Sequence, residues 1–303
     1  MNASAANASG TAAFRDSFSK AVTKNAVVLV LGLFINYINR GLIHTFCKHQ
    51  VFYTNSRYVL FIHLVINDML HVNLTMVLFL ISYTVYRVNV CVCWLLLLPA
   101  LITTENTPLN LAAMALECYV AVCLPLRHAQ ICTVRRTRTL ILLMWTTTVC
   151  SSASDLLLTL ATERLAIVRS QVFCLRHTAF PHPVIVKKRD ATYSLFLVMV
   201  WITMFYAYFR ILVAAKTASK DAKKARNTIV LHSFQLLLCM AAYLTPALRD
   251  ALQRRFPENS VDVLFASYVL VQILPRSLSP LVYSVRDQTF RRYLRRYLLR
   301  WRR

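Results

Sequence analysis

YVLFIHLVINDMLHVNLTMVLFLISY, residues Tyr58 to Tyr83, is a run of 26 residues in which Asp68 carries the sole full charge. Crossing the hydrocarbon core of a bilayer takes about 20 mostly apolar residues, because every backbone N–H and C=O must be satisfied inside the segment. The run is therefore predicted to be a membrane-spanning helix. Working outward, six more such stretches are read near Asn25 to Phe46, Val92 to Tyr119, Thr139 to Leu160, Ala191 to Val213, Ala225 to Leu248 and Val261 to Ser284. The expected fold is an all-α membrane protein, a bundle of seven transmembrane helices over 25–285, with a tail at 1–24 and a basic segment at 286–303. A composition that is 57% hydrophobic, with 3 glycines and a mean hydropathy of +0.51, excludes disordered, collagen-like and disulfide-scaffold classes.

Met1 to Lys24 is polar and alanine-rich and lacks the apolar core and cleavage site of a secretory signal, so the first helix is expected to direct insertion. Asn2-Ala3-Ser4 and Asn7-Ala8-Ser9 are glycosylation sequons, usable at Asn2 and Asn7 if this tail faces the lumen and then the outside. A third, at Asn73, falls inside the second helix, out of reach of the enzyme.

The formal net charge of +23 could suggest a nucleic-acid partner, but the basic residues sit in the links between apolar spans. Lys48, Arg57, Arg127, Arg135, Arg136, Arg138, the Lys216 to Arg226 link and the arginine-rich tail fall on one side, opposed there by Asp221 and Asp287. The other side, which includes Lys187, Lys188 and Arg189, is less basic. The positive-inside rule then puts the C-terminus in the cytoplasm and, with seven spans, the N-terminus outside. A stable disulfide needs the oxidising side. Cys93, opening the third helix, and Cys174, in the loop between the fourth and fifth, both fall there; joining them would clamp that loop over the bundle mouth, with Cys91 as a competing partner. No Cys-x2-Cys metal spacing is present and no metal or cofactor is expected.

Met114-Ala115-Leu116-Glu117-Cys118-Tyr119-Val120-Ala121-Val122-Cys123-Leu124-Pro125-Leu126-Arg127-His128 resembles the odorant-receptor signature Met-Ala-Tyr-Asp-Arg-Tyr-Val-Ala-Ile-Cys-x-Pro-Leu-x-Tyr. Lys224-Ala225-Arg226-Asn227-Thr228 with His232 looks like the family's opening of the sixth helix, and Ser279-Pro280-Leu281-Val282-Tyr283 resembles the Asn-Pro-x-x-Tyr ending of the seventh. Asn39, Asn67-Asp68 and Trp145 stand in matching places. The chain thus resembles rhodopsin-like G protein-coupled receptors of the olfactory family, most closely a teleost branch. Two departures touch its machinery: Cys118 stands where the family carries the arginine that locks to the neighbouring acid and meets the G protein, and Ser279 replaces asparagine before Pro280.

The resemblance implies a small-molecule odorant bound within the bundle and a heterotrimeric G protein of the stimulatory olfactory type, raising cyclic AMP. It assigns coupling to Glu117, Cys118, Tyr119, Lys224 and Arg226, and a polar switch to Asn39, Asp68, Arg276, Pro280 and Tyr283. The expected location is the plasma membrane of an olfactory sensory neuron.

Ionisable groups inside spans are costly without partners. Asp68 and Arg276 are expected to pair, where many relatives hold sodium. Glu105, with Thr104 beside it, lies three to four turns below Cys93, at the depth of a ligand pocket, and could receive an amine or a hydroxyl; Pro108 kinks the helix there. Tyr206 and Tyr243 are added as candidate ligand contacts. His232 reads more simply as a helix–helix hydrogen bond. In the tail, Phe290, Tyr293, Leu294, Tyr297 and Leu298 recur at three- and four-residue steps between arginines, the pattern of an interfacial amphipathic helix on anionic lipid. No inverted repeat or ring of like charge supports a transporter, the main rival, and no nucleophile elbow or zinc motif supports an enzyme. A non-olfactory chemoreceptor of the same class is the alternative within receptors.

Overall fold

The structure, a computed structural model, describes residues 17–85, 87–163, 165–216, 230, 260–274, 276–277 and 292–293. The sequons at Asn2 and Asn7, the predicted sixth span apart from Val230, Pro280, Tyr283 and the tail apart from Arg292 and Tyr293 lie outside them.

Helices α1 (Phe18–Lys48), α2 (Ser56–Thr84), α3 (Val90–Cys123), α5 (Val134–Thr162) and α7 (Pro183–Lys216) carry most of the described chain, joined by the short α4 (Pro125–Ile131) and α6 (Arg176–Ala179). Helix α8 (Ser260–Ser267) continues as a π-helical segment, Tyr268–Ile273. The five long helices are each long and apolar enough to cross a membrane. Their starts follow local chemistry. The side chains of Asn55, Asn89 and Thr133 accept from the backbone N–H groups of Arg57, Cys91 and Arg136, capping α2, α3 and α5. Pro125 takes the first position of α4, where its missing N–H costs nothing.

Three helix starts differ from expectation; α5 begins at Val134 and not near Thr139, so Arg135, Arg136 and Arg138, read as link charges, are helical. α1 begins at Phe18 and α7 at Pro183, so Lys187, Lys188 and Arg189, read as loop charges, are helical. Hydropathy registers the apolar part of a helix, whereas the helix itself runs on wherever backbone groups stay paired. Lys188 does so by turning its amine inward.

α3 is the central rod: 56% of its most apolar stretch is buried, against 22% in α5 and in α7. It packs on α2, α5 and α7. One apolar cluster, including Phe61, Leu64, Leu111, Ala115, Met204 and Ile211, fills the half of the bundle toward the α3 C-terminus. A second, around Trp94, Leu97, Leu101, Phe180 and Ile185, fills the other half. There the Trp94 indole donates to the Ala179 carbonyl at 3.0 Å and its ring stacks on Phe180. Large side chains such as Phe34, Leu142, Leu157, Ile202 and Phe205 point outward and stay exposed, an apolar exterior suited to a hydrocarbon solvent. At Gly32 an added Cβ would stand 2.6 Å from Met76 Sδ, so this glycine lets α1 approach α2.

A disulfide joins Cys93 to Cys174, with Cα atoms 5.5 Å apart. Cys91 stays a free, exposed thiol. Beside the disulfide, β1 (Val88–Asn89) pairs antiparallel with β2 (Gln171–Val172), holding the α5–α7 loop to the start of α3.

Candidate functional site

Polar side chains inside the bundle fall into three layers along α3. Nearest the disulfide, α5 presents a buried stripe of Thr148, Ser152, Asp155 and Thr159. Asp155 is 3% exposed. Its Oδ1 accepts from Lys188 Nζ at 2.6 Å, and its Oδ2 lies 3.8 Å from an Arg176 guanidinium nitrogen. The Lys188 amine also donates to the Ser151 carbonyl at 3.0 Å and to Ser154 Oγ. Arg176 lies over the Tyr193 ring at 4.6 Å and donates to its hydroxyl. One carboxylate, Asp155, thus meets two cations between α5, α6 and α7. Glu105, 1% exposed, is buried on α3 within electrostatic range of Arg176, Asp155 and Lys188.

The middle layer lies between α2, α3 and the π-helical segment. Asn67 Nδ2 donates to the Thr103 carbonyl at 2.9 Å and to Thr107 Oγ1 at 3.0 Å, and Thr107 Oγ1 lies 3.4 Å from Asp68 Oδ1. His71 reaches Thr103 Oγ1 at 3.0 Å and Gln272 Oε1 at 2.9 Å through its two ring nitrogens. Arg276 sets its Nε 3.9 Å from Asp68 Oδ1 and donates from a terminal nitrogen to the Gln272 carbonyl at 3.1 Å. Asp68 and Arg276 are 0% and 2% exposed. At that depth an ion pair persists only because each charge meets the other and nearby dipoles. The wider π turn is a known means of re-aiming side chains at functional positions, and here it precedes Arg276.

At the far end of α3, the Glu117 carboxylate is held from two sides: Arg57 Nε donates to Oε2 at 3.0 Å and His128 Nε2 lies 3.0 Å from Oε1. Cys118 is buried beside it, and the Tyr119 and Tyr206 hydroxyls lie 3.4 Å apart. Burial, and then the Glu117 charge, push the Cys132 thiol above its ordinary range.

A rod of spans with a disulfide at one end, polar layers in its interior and an acid-centred cluster at the other end has a counterpart among known families. Residues 38–283 match the family 7 transmembrane receptor (rhodopsin family). The chain belongs to that family. The receptor is 29% identical over 278 residues to Odorant receptor 131-2 of Danio rerio, covering 90% of this chain and 85% of that one. It is 30% identical over 199 residues to Olfactory receptor 51I2 of Homo sapiens, 60% of each chain, and 29% identical over 205 residues to Olfactory receptor 52R1 of Homo sapiens, covering 59% of this chain and 58% of that one. It is a multi-pass membrane receptor, not an enzyme.

The receptor brings Asp68 and Arg276 together, as expected from sequence, and buries Glu105 on α3. It separates the other candidate ligand contacts. Tyr206 lies 18 residues along α7 from Lys188, about 27 Å at 1.5 Å per residue, and meets Tyr119 at the far end, so it does not share a pocket with Glu105. Thr104 turns to His71, with its Oγ1 3.3 Å from Nδ1; adjacent helical residues point about 100° apart, so Thr104 and Glu105 do not face the same way. Asn39 is fully buried, and among the described residues its amide has no hydrogen-bond partner. Tyr243, His232, Lys224 and Arg226 lie outside the described residues. Trp145 donates to His63 Nε2 at 2.8 Å. Asn73 is helical and bonds to Asn36 at 2.7 Å.

Sequence reasoning missed Asp155, Lys188, His71, Gln272, Arg57 and His128. Asp155 gave the same signal as Asp68 and Glu105, an acid inside an apolar stretch. Arg57 gave none, since it reads as a link charge and meets Glu117 only through the fold.

Proposed function

We propose that this receptor is an odorant receptor: a small-molecule odorant binds within the bundle and the chain activates a heterotrimeric G protein of the stimulatory olfactory type, raising cyclic AMP. The observation that carries this reading is the likeness to Odorant receptor 131-2 along 90% of the chain. The disulfide and the charge distribution support an orientation with the N-terminus outside and the C-terminus in the cytoplasm. In that orientation 1–24 is an external tail glycosylated at Asn2 and Asn7, 25–285 is the receptor domain, and 286–303 is a basic amphipathic helix lying on anionic lipid at the plasma membrane of an olfactory sensory neuron. Glu105 belongs to the ligand end, with Tyr243 a further ligand contact. Asn39, Asp68, Arg276, Pro280 and Tyr283 form the switch between the two ends.

Coupling is assigned to Glu117, Cys118 and Tyr119, at the α3 end of the bundle, together with Lys224 and Arg226. Because the family's arginine is Cys118 here, Arg57 supplies the guanidinium that restrains Glu117, from α2 instead of from α3 itself. The Arg57 side chain is 35% exposed, so the pair is worth about 0.5–1 kcal/mol. Arg57→Ala is therefore expected to raise basal cyclic AMP about two- to fivefold; an unchanged or lowered basal level at equal surface display would count against the restraint.

The test of the function is cyclic AMP in cells displaying a verified surface level of the chain, challenged with an odorant panel, with Cys118→Arg beside it. A wild-type response is expected, showing that the arginine is dispensable. A response confined to Cys118→Arg would contradict unaided coupling by this chain.

A further inference from the structure

We propose that the exposed face at the start of α5 binds an anionic phospholipid, with its headgroup on Arg135 and Arg138 and an acyl chain along Leu142 and Val149. The contact is separate from the tail helix. It follows from α5 beginning at Val134, which makes two link charges part of a lipid-facing strip.

The strip is continuous. At about 100° per residue, Arg135, Arg138, Leu142, Thr146 and Val149 fall within one sector of about 80° of the helix. All five are exposed, Leu142 and Val149 by 63% and 42%. The opposite side of α5, with Thr137, Met144, Thr148 and Ser152, is buried against the bundle. Thr146 Oγ1 donates to the Leu143 carbonyl at 2.9 Å, so its hydroxyl is satisfied inside its own helix, as hydrocarbon surroundings require. From Arg138 to Val149 the helix rises about 17 Å at 1.5 Å per residue, close to the depth of one leaflet, half of about 30 Å.

Charge selects the headgroup. Arg127, Arg135, Arg136 and Arg138 lie between Glu117 and Asp155, an interval with no acidic residue. Glu117 is held by Arg57 and His128, and Asp155 meets Lys188 toward the other end of α5. Arg136 donates to the Gln130 carbonyl at 2.8 Å and so braces α4 against α5. Among the described residues neither Arg135 nor Arg138 is in an ion pair. Like charges three or four residues apart on a helix repel. A phosphate between them relieves that repulsion and offers acceptor oxygens that match the guanidinium fork. A zwitterionic lipid brings its own cation beside the arginines and is the poorer guest. In the proposed orientation this is the cytoplasmic leaflet, which carries the anionic lipids.

The test uses the full chain in phosphatidylcholine nanodiscs doped with either phosphatidylserine or phosphatidylcholine bearing a diazirine on the acyl chain. Photolysis is followed by peptide mass spectrometry. Over 139–149 the ratio of serine-lipid to choline-lipid labelling is expected to exceed that on the exposed face of α1, at Val30 and Leu33, by about tenfold or more, since each arginine at an anionic surface contributes about fivefold. Arg135→Gln with Arg138→Gln should bring the α5 ratio down to the α1 level. Choline-lipid labelling of α5 should stay as in the wild type, showing that the strip still faces lipid. Arg135→Lys with Arg138→Lys keeps the charge and should hold the ratio within about threefold of wild type. Equal ratios on α5 and α1, a ratio that survives the glutamine pair, or one lost in the lysine pair would overturn the proposal. The assay contains neither odorant nor G protein, so its failure and the failure of the proposed function are separate results.

Discussion

Arg276→Met, made alone, is expected to cost more stability than other single substitutions in the bundle, about 3–5 kcal/mol, because it removes the guanidinium facing a carboxylate that is 0% exposed. Asp68→Asn alone should be nearly as severe for the opposite reason, leaving a buried arginine with the Gln272 carbonyl but no charge to answer its own. Asp68→Asn combined with Arg276→Gln removes both charges and keeps hydrogen-bonding capacity, so the double variant should be more stable than either single one. The measurement is surface display in cells together with the thermal midpoint in detergent. A pair acting as a unit gives strongly non-additive effects. Additive losses would show that Asp68 and Arg276 act independently, and the switch assigned to them would have to be abandoned.

Cys93→Ser should have the next largest effect. The disulfide closes a loop with a sequence separation of 81 residues, which in the chain-entropy account corresponds to about 4–5 kcal/mol, an upper figure for a chain whose unfolded form is already confined to a bilayer. Beyond entropy, the bond fixes the strand pair β1–β2 and keeps Arg176, on the short helix that follows, over Asp155 and Tyr193. Cys93→Ser and Cys174→Ser should therefore reduce surface display equally, and the double variant no further. Cys91→Ser should leave it unchanged, because Cys91 is exposed and its thiol faces the Val168 carbonyl at 3.7 Å. Rescue of Cys93→Ser by a Cys91–Cys174 bond, seen by peptide mapping without reduction, would contradict this assignment.

The apolar runs that predict α1, α2, α3, α5 and α7 report the solvent around a helix, which is why their centres are legible and their ends are not. α7 continues back to Pro183 through three consecutive basic residues that a hydropathy reading assigns to water. Lys188 belongs inside because its amine meets three acceptors supplied by another helix, and nothing near position 188 in the sequence announces them. The Asp68–Arg276 meeting was foreseeable from the cost of isolated charges in spans together with the family's layout. Glu117 shows the limit: its acid and the missing arginine at Cys118 are plain in the sequence, but its partners Arg57 and His128 come from other helices and are set by packing alone. Tyr206 shows the converse, an aromatic residue whose type suits a pocket and whose height along α7 puts it at the wrong end.

The proposed function requires that the bundle end carrying Glu117 drive nucleotide exchange directly, although Cys118 stands in place of the usual arginine. The most direct measurement is guanine-nucleotide exchange on the purified stimulatory olfactory G protein by the full chain in lipid nanodiscs, with and without odorant, wild type beside Arg57→Ala. Odorant-dependent exchange by the wild type and higher odorant-free exchange by Arg57→Ala are expected. No exchange above the G protein's own rate by either protein, under conditions where odorant binding is demonstrated, would contradict the proposed function.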